Sequence, residues 1–288
     1  MKVRPGSPAP CGRGDVRREA YWRFLLRFGL KNAAWFGDYC RYREVALIAS
    51  ELAARPVRSV LDVGCAGTLF PYYVSRLFPQ ARVVGIDSGE NLALAPAQLA
   101  RMAARADAAE RVRLFPADAR RLPFRDGGFD AATAVSVLEH IRGDGDIVAM
   151  REMARVVRPG GLIALSVPMG ARAAEQEADA SCPYFIRRYD AGTLAERLIR
   201  AVGASSVAVR YFGEGRVPYS AFYVALRSAH ARWCERGAAW RPLRYLSWAA
   251  LALTPLAAKL FLRVWDPQSP SAHKRVPGGA VVVLEKQQ

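Results

Sequence analysis

Short aliphatic runs recur along this chain, each closing on a glycine or an acid, with segments of helical period between them. The first run covers residues 57–63, where Val60-Leu-Asp-Val leads into Gly64, Cys65, Ala66, Gly67 and Thr68. A continuous apolar run of this length that ends in glycine predicts a buried parallel strand and a tight turn into a helix. Leu69, Tyr73, Val74 and Leu77 follow at helical spacing, and Pro79 stops them. Further strands are predicted at 82–88, closing on Asp87, at 112–118, closing on Asp118, and at 131–137, 162–167, 206–212 and 280–284. Helical period marks 16–55, in two helices, and then 90–109, 139–157 and 191–202, the last with Asp190 as its N-cap. Strands alternating with helices at this spacing predict an α/β fold, a Rossmann-like doubly wound and mostly parallel sheet with right-handed crossovers.

The pattern divides the chain. Residues 1–15 are rich in Pro and Gly, lack the apolar core of a signal peptide, and read as a mobile tail. Residues 16–56 form an N-terminal helical cap, 57–212 the strand–helix core, 213–279 an insertion read as helical, and 280–288 the final strand and C-terminus. Within the insertion, residues 245–258 carry no charge. That run is shorter than the roughly 20 residues of a membrane-spanning helix, and Pro255 interrupts it. It reads either as a helical lid over an apolar pocket or as an interfacial segment at 240–265. In the second case Arg241, Arg244, Lys259 and Arg263 would meet lipid headgroups. The lid is favoured, because apolar helical inserts usually bury against their own domain.

Composition changes this picture little. The 288 residues carry 42 Lys and Arg against 26 Asp and Glu, a net charge of +16. The basic residues are mostly Arg and are scattered rather than blocked, so no nucleic-acid arm is indicated and no nucleic-acid partner is expected. Five cysteines lie far apart with no Cys-x-x-Cys pair. Neither a disulfide framework nor a zinc site is suggested, and a cytoplasmic setting fits, with peripheral membrane contact open through 240–265.

Two features carry candidate chemistry. Backbone N–H groups in a glycine-rich strand-to-helix turn are placed to meet a ligand's polar end. Asp87, 23 residues beyond Gly64, stands where an acid at the end of a second strand grips a ribose through both hydroxyls. Equally, with Ser88-Gly89 following, Asp87 can be an ordinary turn or N-cap residue. Trp35, Phe36 and Tyr39, between the two N-terminal helices, are either core or an aromatic lid.

Four blocks together resemble the class I S-adenosylmethionine-dependent methyltransferases of the small-molecule, type 11-like kind. They are Val-Leu-Asp-Val-Gly-Cys at 60–65, Val-Val-Gly-Ile-Asp at 83–87, and Ala-Asp-Ala-Arg-Arg-Leu-Pro-Phe-Arg-Asp-Gly-Gly-Phe-Asp at 117–130. The fourth is Val-Leu-Glu-His-Ile at 137–141, followed by Arg-Val-Val-Arg-Pro-Gly-Gly at 155–161. The resemblance covers roughly residues 45–210 and implies seven strands with the last antiparallel, and S-adenosylmethionine as cofactor. It implies that Asp62 and Gly64 shape the loop beside the cofactor's methionine part, that Asp87 binds the ribose hydroxyls, that Asp118 and the Ala119 backbone read the adenine, and that Ser136 sits near the sulfonium. Cys65, Ala66, Gly67 and Ser88 complete the implied cofactor set. Ala66 and Thr68 stand where the family usually has its second and third glycines, so the turn is shaped differently.

The implied reaction is direct in-line methyl transfer to a small, apolar or lipid-like acceptor. A general base is needed only for a protonated acceptor atom. His140 is the candidate base; it reads equally as a packed helix residue. The loop after the fifth strand borders the acceptor in the family, which makes Tyr184, Phe185, Arg187, Arg188 and Tyr189 candidate contacts, with Trp35 and Tyr39 from the cap. Some quinone methyltransferases hold a metal through an acid three residues before a Glu-His pair. Here Ser136 stands in that place, and no metal is expected. Two other functions stay open: a methyltransferase-like binding or scaffold protein without turnover, and a nucleic-acid methyltransferase. The latter is suggested by net charge alone, and no Asn-Pro-Pro-Tyr segment supports it.

Overall fold

A computed structural model describes residues 18–28, 40–65, 69–88, 110–178, 184–214, 225–226, 228–230, 232–233, 241–253, 262–265 and 277–287. The N-terminal tail, Trp35, Phe36, Tyr39, Ala66, Gly67, Thr68, the helix expected at 90–109 and much of the insertion lie outside the described residues.

In chain order the elements are α1 (Arg18–Leu26), α2 (Arg41–Ala53), β1 (Ser59–Val63), α3 (Phe70–Leu77), β2 (Arg82–Asp87), β3 (Val112–Pro116) and β4 (Phe129–Val135). A 3₁₀ turn at Leu138–His140 precedes α4 (Gly145–Val156), β5 (Val157–Pro168), β6 (Ala174–Gln176) and β7 (Ile186–Arg188). A helical run, α5, then opens as one α-turn at Ala191–Thr193, widens to π geometry over Leu194–Ile199 and tightens to 3₁₀ at Arg200–Val202. β8 (Ala204–Glu214), α6 (Arg241–Ala252), β9 (Leu262–Trp265) and β10 (Gly279–Lys286) complete the described chain. The eight strands of the main sheet run in the order β3-β2-β1-β4-β5-β10-β8-β9. β1 to β5 pair in parallel, and β10 runs antiparallel to both β5 and β8.

Residue alternation along the central strands explains why both faces are covered. Val60, Ala131, Val135, Leu162, Ala164, Val281 and Val283 face one side and pack with residues of α1, α2 and α3. Leu61, Val63, Ala132, Ala134, Ile163, Leu165, Val282 and Leu284 face the other and pack with α4 and α5. Strands apolar on both faces are what a doubly wound parallel sheet demands.

Three findings refine the expected elements. The insertion is not wholly helical: β9 pairs antiparallel with β8, adding an eighth strand beside the expected seven. The helix expected from Glu139 starts only at Gly145, because Gly143 takes a left-handed φ of 59° and turns the chain first. The Arg-Pro-Gly-Gly stop at 158–161 belongs to β5 itself, at a register shift against β4.

Much of the motif pattern proves to be structural. Asp130 accepts from the N–H groups of Arg58 and Ser59 at 2.8 and 2.9 Å and from Arg158 Nε at 2.7 Å, so it ties the starts of β1, β4 and β5 together. Glu152 accepts the Leu122 N–H at 2.8 Å, while Arg155 donates to the carbonyls of Leu122 and Phe124, pinning the Leu-Pro-Phe loop to α4. Among the described residues no helix is long and apolar enough to cross a membrane.

Candidate active site

In a sheet ordered β2-β1-β4-β5, the chain reverses its direction of growth between β1 and β4, the switch point at whose C-terminal strand ends open α/β sheets bind ligands in a crevice. Gly64 and Cys65 follow β1 there, Asp87 ends β2, Ala117 and Asp118 follow β3, and Ser136 follows β4.

Gly64 has φ 77°, and its N–H donates to Ile86 O at 2.8 Å. A Cβ on Gly64 would lie 2.1 Å from Val137 Cγ2, so the exits of β1 and β4 meet there with no room for a side chain. Gly85 is equally confined, its Cβ position lying 2.8 Å from Cys65 Sγ. Burial pushes the Cys65 thiol up, so Cys65 is a wall of the turn rather than a nucleophile. Asp62 is buried beneath the turn, with Thr133 Oγ1 donating to its Oδ1 at 2.6 Å, and burial pushes its carboxyl up to about 7. Ala66 and Gly67 lie outside the described residues.

Half-buried Asp87 accepts on Oδ1 from the Ser88 N–H at 2.7 Å and from the Ser88 hydroxyl at 3.3 Å. Asp87 thus stands at the end of β2 with Oδ1 turned onto the residue that follows it. Exposed Asp118 is held by Arg120, whose Nε and Nη2 donate at 3.0 and 2.7 Å and hold the carboxyl below the usual range. Ala119, beside it, is half-buried.

The head of β4 is the most polar part of the site. Ser136 has a φ of 53°, unusual for a residue with a side chain, and its N–H donates to Ser166 O and Oγ, both at 3.1 Å. Its hydroxyl lies 3.2 Å from both carboxylate oxygens of Glu44 on α2. Arg41 Nη1 donates to Val135 O at 2.9 Å and pairs with Glu44 at 3.2 Å. Glu139 is buried, and its Oε2 has no hydrogen-bond partner among the described residues. Burial, with Glu44 nearby, pushes its carboxyl up to about 8. The hydroxyls of Tyr21 and Tyr73, whose rings meet edge-to-face at 4.9 Å, are likewise buried without partners among the described residues. Buried polar atoms of this kind call for a ligand or solvent partner.

His140 Nδ1 lies 2.8 Å from Phe185 O. A carbonyl only accepts, so Nδ1 carries the proton and Nε2 keeps its lone pair, 3.9 Å from Glu139 Oε1. Desolvation holds the imidazole below its usual range, although 40% of the side chain is exposed. Tyr184 is exposed and meets the His140 ring edge-on at 5.8 Å, and Arg188 is exposed on β7.

The other loop candidates are structural. Arg187, buried, donates to Glu175, Ile141 O and Gly143 O, and lies 2.9 Å from Asp146. Tyr189 donates to Asp146 at 2.8 Å, and Phe185 is buried beneath the guanidinium groups of Arg142 and Arg187. Trp35 and Tyr39 lie outside the described residues. The site therefore brings together Gly64, Cys65, Asp87, Ser136 and His140. Arg41, Glu44 and Glu139 join them without having been singled out; only Glu139, beside His140 in a recognised block, carried any signal in the sequence. Among the described residues no group of three or more His, Cys, Asp or Glu could hold a metal ion.

A family model described as a methyltransferase domain matches residues 61–165. An uncharacterized 37.1 kDa protein of a Streptomyces fradiae transposon is 36% identical over 178 residues, 58% of this chain and 49% of that protein. The demethylmenaquinone methyltransferase of Staphylococcus aureus is 32% identical over 118 residues, 40% of this chain and 45% of that protein. The chain thus spans about half the length of the curated relatives it matches. Among solved structures, the cyclase SpnF superposes with TM-score 0.54 at 24% identity, covering 85% of this chain and 80% of SpnF. The 1,6-didemethyltoxoflavin-N1-methyltransferase of Burkholderia thailandensis does so with TM-score 0.54 at 18% identity, covering 93% and 90%. At these identities the likeness is one of fold.

Proposed function

We propose, from the match of residues 61–165 to a methyltransferase-domain family model, that this protein is a class I S-adenosylmethionine-dependent methyltransferase that transfers a methyl group from S-adenosylmethionine to a small molecule. The observation that carries the reading is the placement of those residues. Gly64, Asp87 and Ser136 stand at the C-terminal ends of β1, β2 and β4 around one crevice, at the switch point of the sheet.

The residues fit the cofactor. The side-chain-free turn at Gly64 admits a ligand backbone close to the main chain, and Asp87 offers a carboxylate to a ribose. Asp118 and the Ala119 backbone take the adenine end, with Arg120 giving up part of its hold on Asp118, and Ser136 lies toward the methionine end. When bound, the cofactor supplies a methyl group already activated on a sulfonium. What remains for the chain is to hold an acceptor in line and exclude water. His140 Nε2, with its lone pair and its path to solvent, carries away the proton of a protonated acceptor, and Tyr184 and Arg188 border the acceptor's entrance.

A small and largely apolar acceptor suits the surroundings. Tyr21, Phe24 and Phe28 of the cap and Tyr73 of α3 form an aromatic cluster. On α6, Tyr245 and Leu246 are 70% and 65% exposed while Ser247 and Leu251 are buried, a face suited to an apolar acceptor or a lipid surface. The demethylmenaquinone methyltransferase relative is compatible with such an acceptor. SpnF, a cyclase on this fold, shows why turnover itself must be measured.

Titration calorimetry with S-adenosylmethionine and S-adenosylhomocysteine tests the reading. Wild type should bind both, and Asp87→Ala should weaken both by roughly 10- to 100-fold, the loss of one or two hydrogen bonds to a charged group. Binding that Asp87→Ala leaves unchanged would remove the ribose role, and no binding to wild type would remove the cofactor.

A further inference from the structure

The head of β4 holds more acid than positioning a cofactor requires. Glu139 sits two residues after Val137, whose side chain touches Gly64, and three after Ser136. It therefore lies in the turn that leaves β4 and directly follows the residue that packs against Gly64. It is 3% exposed, and Oε2 has no partner among the described residues. Burying such an oxygen is costly unless a bound group meets it.

The surrounding charges are accounted for. Arg41 is turned onto Val135 O and Glu44, and Glu44 lies against the Ser136 hydroxyl. On the other packed elements, Arg187 of β7 and Asp146 of α4 are paired with each other, and Arg188 is exposed. Asp62 is hydrogen-bonded to Thr133. Nearest to Glu139 in the chain, His140 has Nε2 3.9 Å from Oε1 and a partly exposed side chain.

We propose that Glu139 is the carboxylate that faces the reacting centre and takes the proton of an O–H or N–H acceptor, with His140 as its way out to solvent. The inference rests on the methyl-transfer reading and specifies its acceptor as a protic one. The acceptor's oxygen or nitrogen forms a bond to the methyl carbon as the carbon–sulfur bond breaks, the electron pair going to sulfur. The acceptor's proton passes to Glu139 Oε2. One positive and one negative charge disappear together, leaving a thioether and a neutral carboxylic acid. His140 Nε2 then receives the proton and releases it to water.

Before turnover, the sulfonium must favour the ionised form of Glu139, so binding a cation there expels the carboxyl's proton. The neutral thioether product lacks this effect. Calorimetric titration of the full chain, in buffers of different ionisation enthalpy, reads that proton. At about pH 7, S-adenosylmethionine should release on the order of one proton more than S-adenosylhomocysteine, and at about pH 9 the difference should nearly vanish. Glu139→Gln should still bind S-adenosylhomocysteine and should lose the difference at both pH values. Glu285→Gln, at the end of β10 away from these loops where it pairs with Arg55, should retain it, and the retained S-adenosylhomocysteine binding of Glu139→Gln shows that this variant folds. Equal release with both ligands in wild type, a difference that survives in Glu139→Gln, or one that is lost in Glu285→Gln would overturn the proposal. Binding of neither ligand would overturn the methyl-transfer reading itself, and this inference with it.

Discussion

Gly64→Val should unfold the site and destabilise the whole domain, lowering Tm by roughly 5–15 °C in a thermal melt and abolishing measurable cofactor binding. Two costs add. The residue sits at φ 77°, which a β-branched side chain scarcely tolerates, for about 1–2 kcal/mol. Its Cβ would also lie 2.1 Å from Val137 Cγ2, an overpacking cost of about 1–3 kcal/mol. In a domain of this size each kcal/mol moves Tm by roughly 2–4 °C. The two costs can be separated. Gly64→Ala combined with Val137→Ala removes the clash and keeps the dihedral cost, so it should recover part of the lost stability. A double variant no better than Gly64→Ala alone would show that Val137 is not what confines the turn.

The second large effect lies away from the crevice. Asp146 is fully buried and accepts from Tyr189, from Arg197 at 2.7 and 3.0 Å, and pairs with Arg187 at 2.9 Å. This one carboxylate joins α4 to β7 and α5, and so fixes the loop that carries Tyr184 toward His140. Asp146→Ala leaves two guanidinium groups without their buried partner, a loss of about 3–5 kcal/mol. Equilibrium denaturation would read it directly. A change under about 1 kcal/mol would mean that the neighbouring carbonyls suffice for both arginines.

Acid should reveal the same tie. Burial alone would raise the Asp146 carboxyl, but the bonds from Arg197 and Tyr189, with the charge of Arg187, hold it below the usual range. Its folded value is depressed, so its contribution is present above the unfolded value of about 3.9 and is lost as pH falls through the folded one. The stability gap between wild type and Asp146→Asn should therefore narrow in acid.

The sheet was legible because its strands announce themselves. Runs such as Val60–Val63 and 162–167 are mostly aliphatic, broken only by Asp62 and Ser166, and are followed by glycine or proline, the pattern of a short strand covered on both sides. β9 was not legible: Leu262–Trp265 is short and lies among helical-period residues, and its pairing with β8 is a tertiary fact. The delayed start of α4 follows from Gly143, whose left-handed φ no hydrophobic period reveals. The site divides in the same way. Gly64, Asp87 and Ser136 sit at strand ends, where sequence position alone locates them. Arg41 and Glu44 lie 92 or more residues before the Val135 carbonyl and Ser136 hydroxyl they meet, so nothing local marks them. Arg187 and Tyr189 are candidate acceptor contacts because the loop after the fifth strand borders the acceptor in the resembled family; folded, both side chains are held by Asp146.

A crystal structure of the protein with S-adenosylhomocysteine would bear on all of this at once. Asp87 should bridge the ribose hydroxyls at about 2.7 Å, the adenine should reach Asp118 and the Ala119 backbone, and the thioether sulfur should lie beside Ser136 and face Glu139. A ligand bound away from the ends of β1, β2 and β4, or one whose ribose leaves Asp87 untouched, would contradict the assignment of this crevice as the methyl-transfer site.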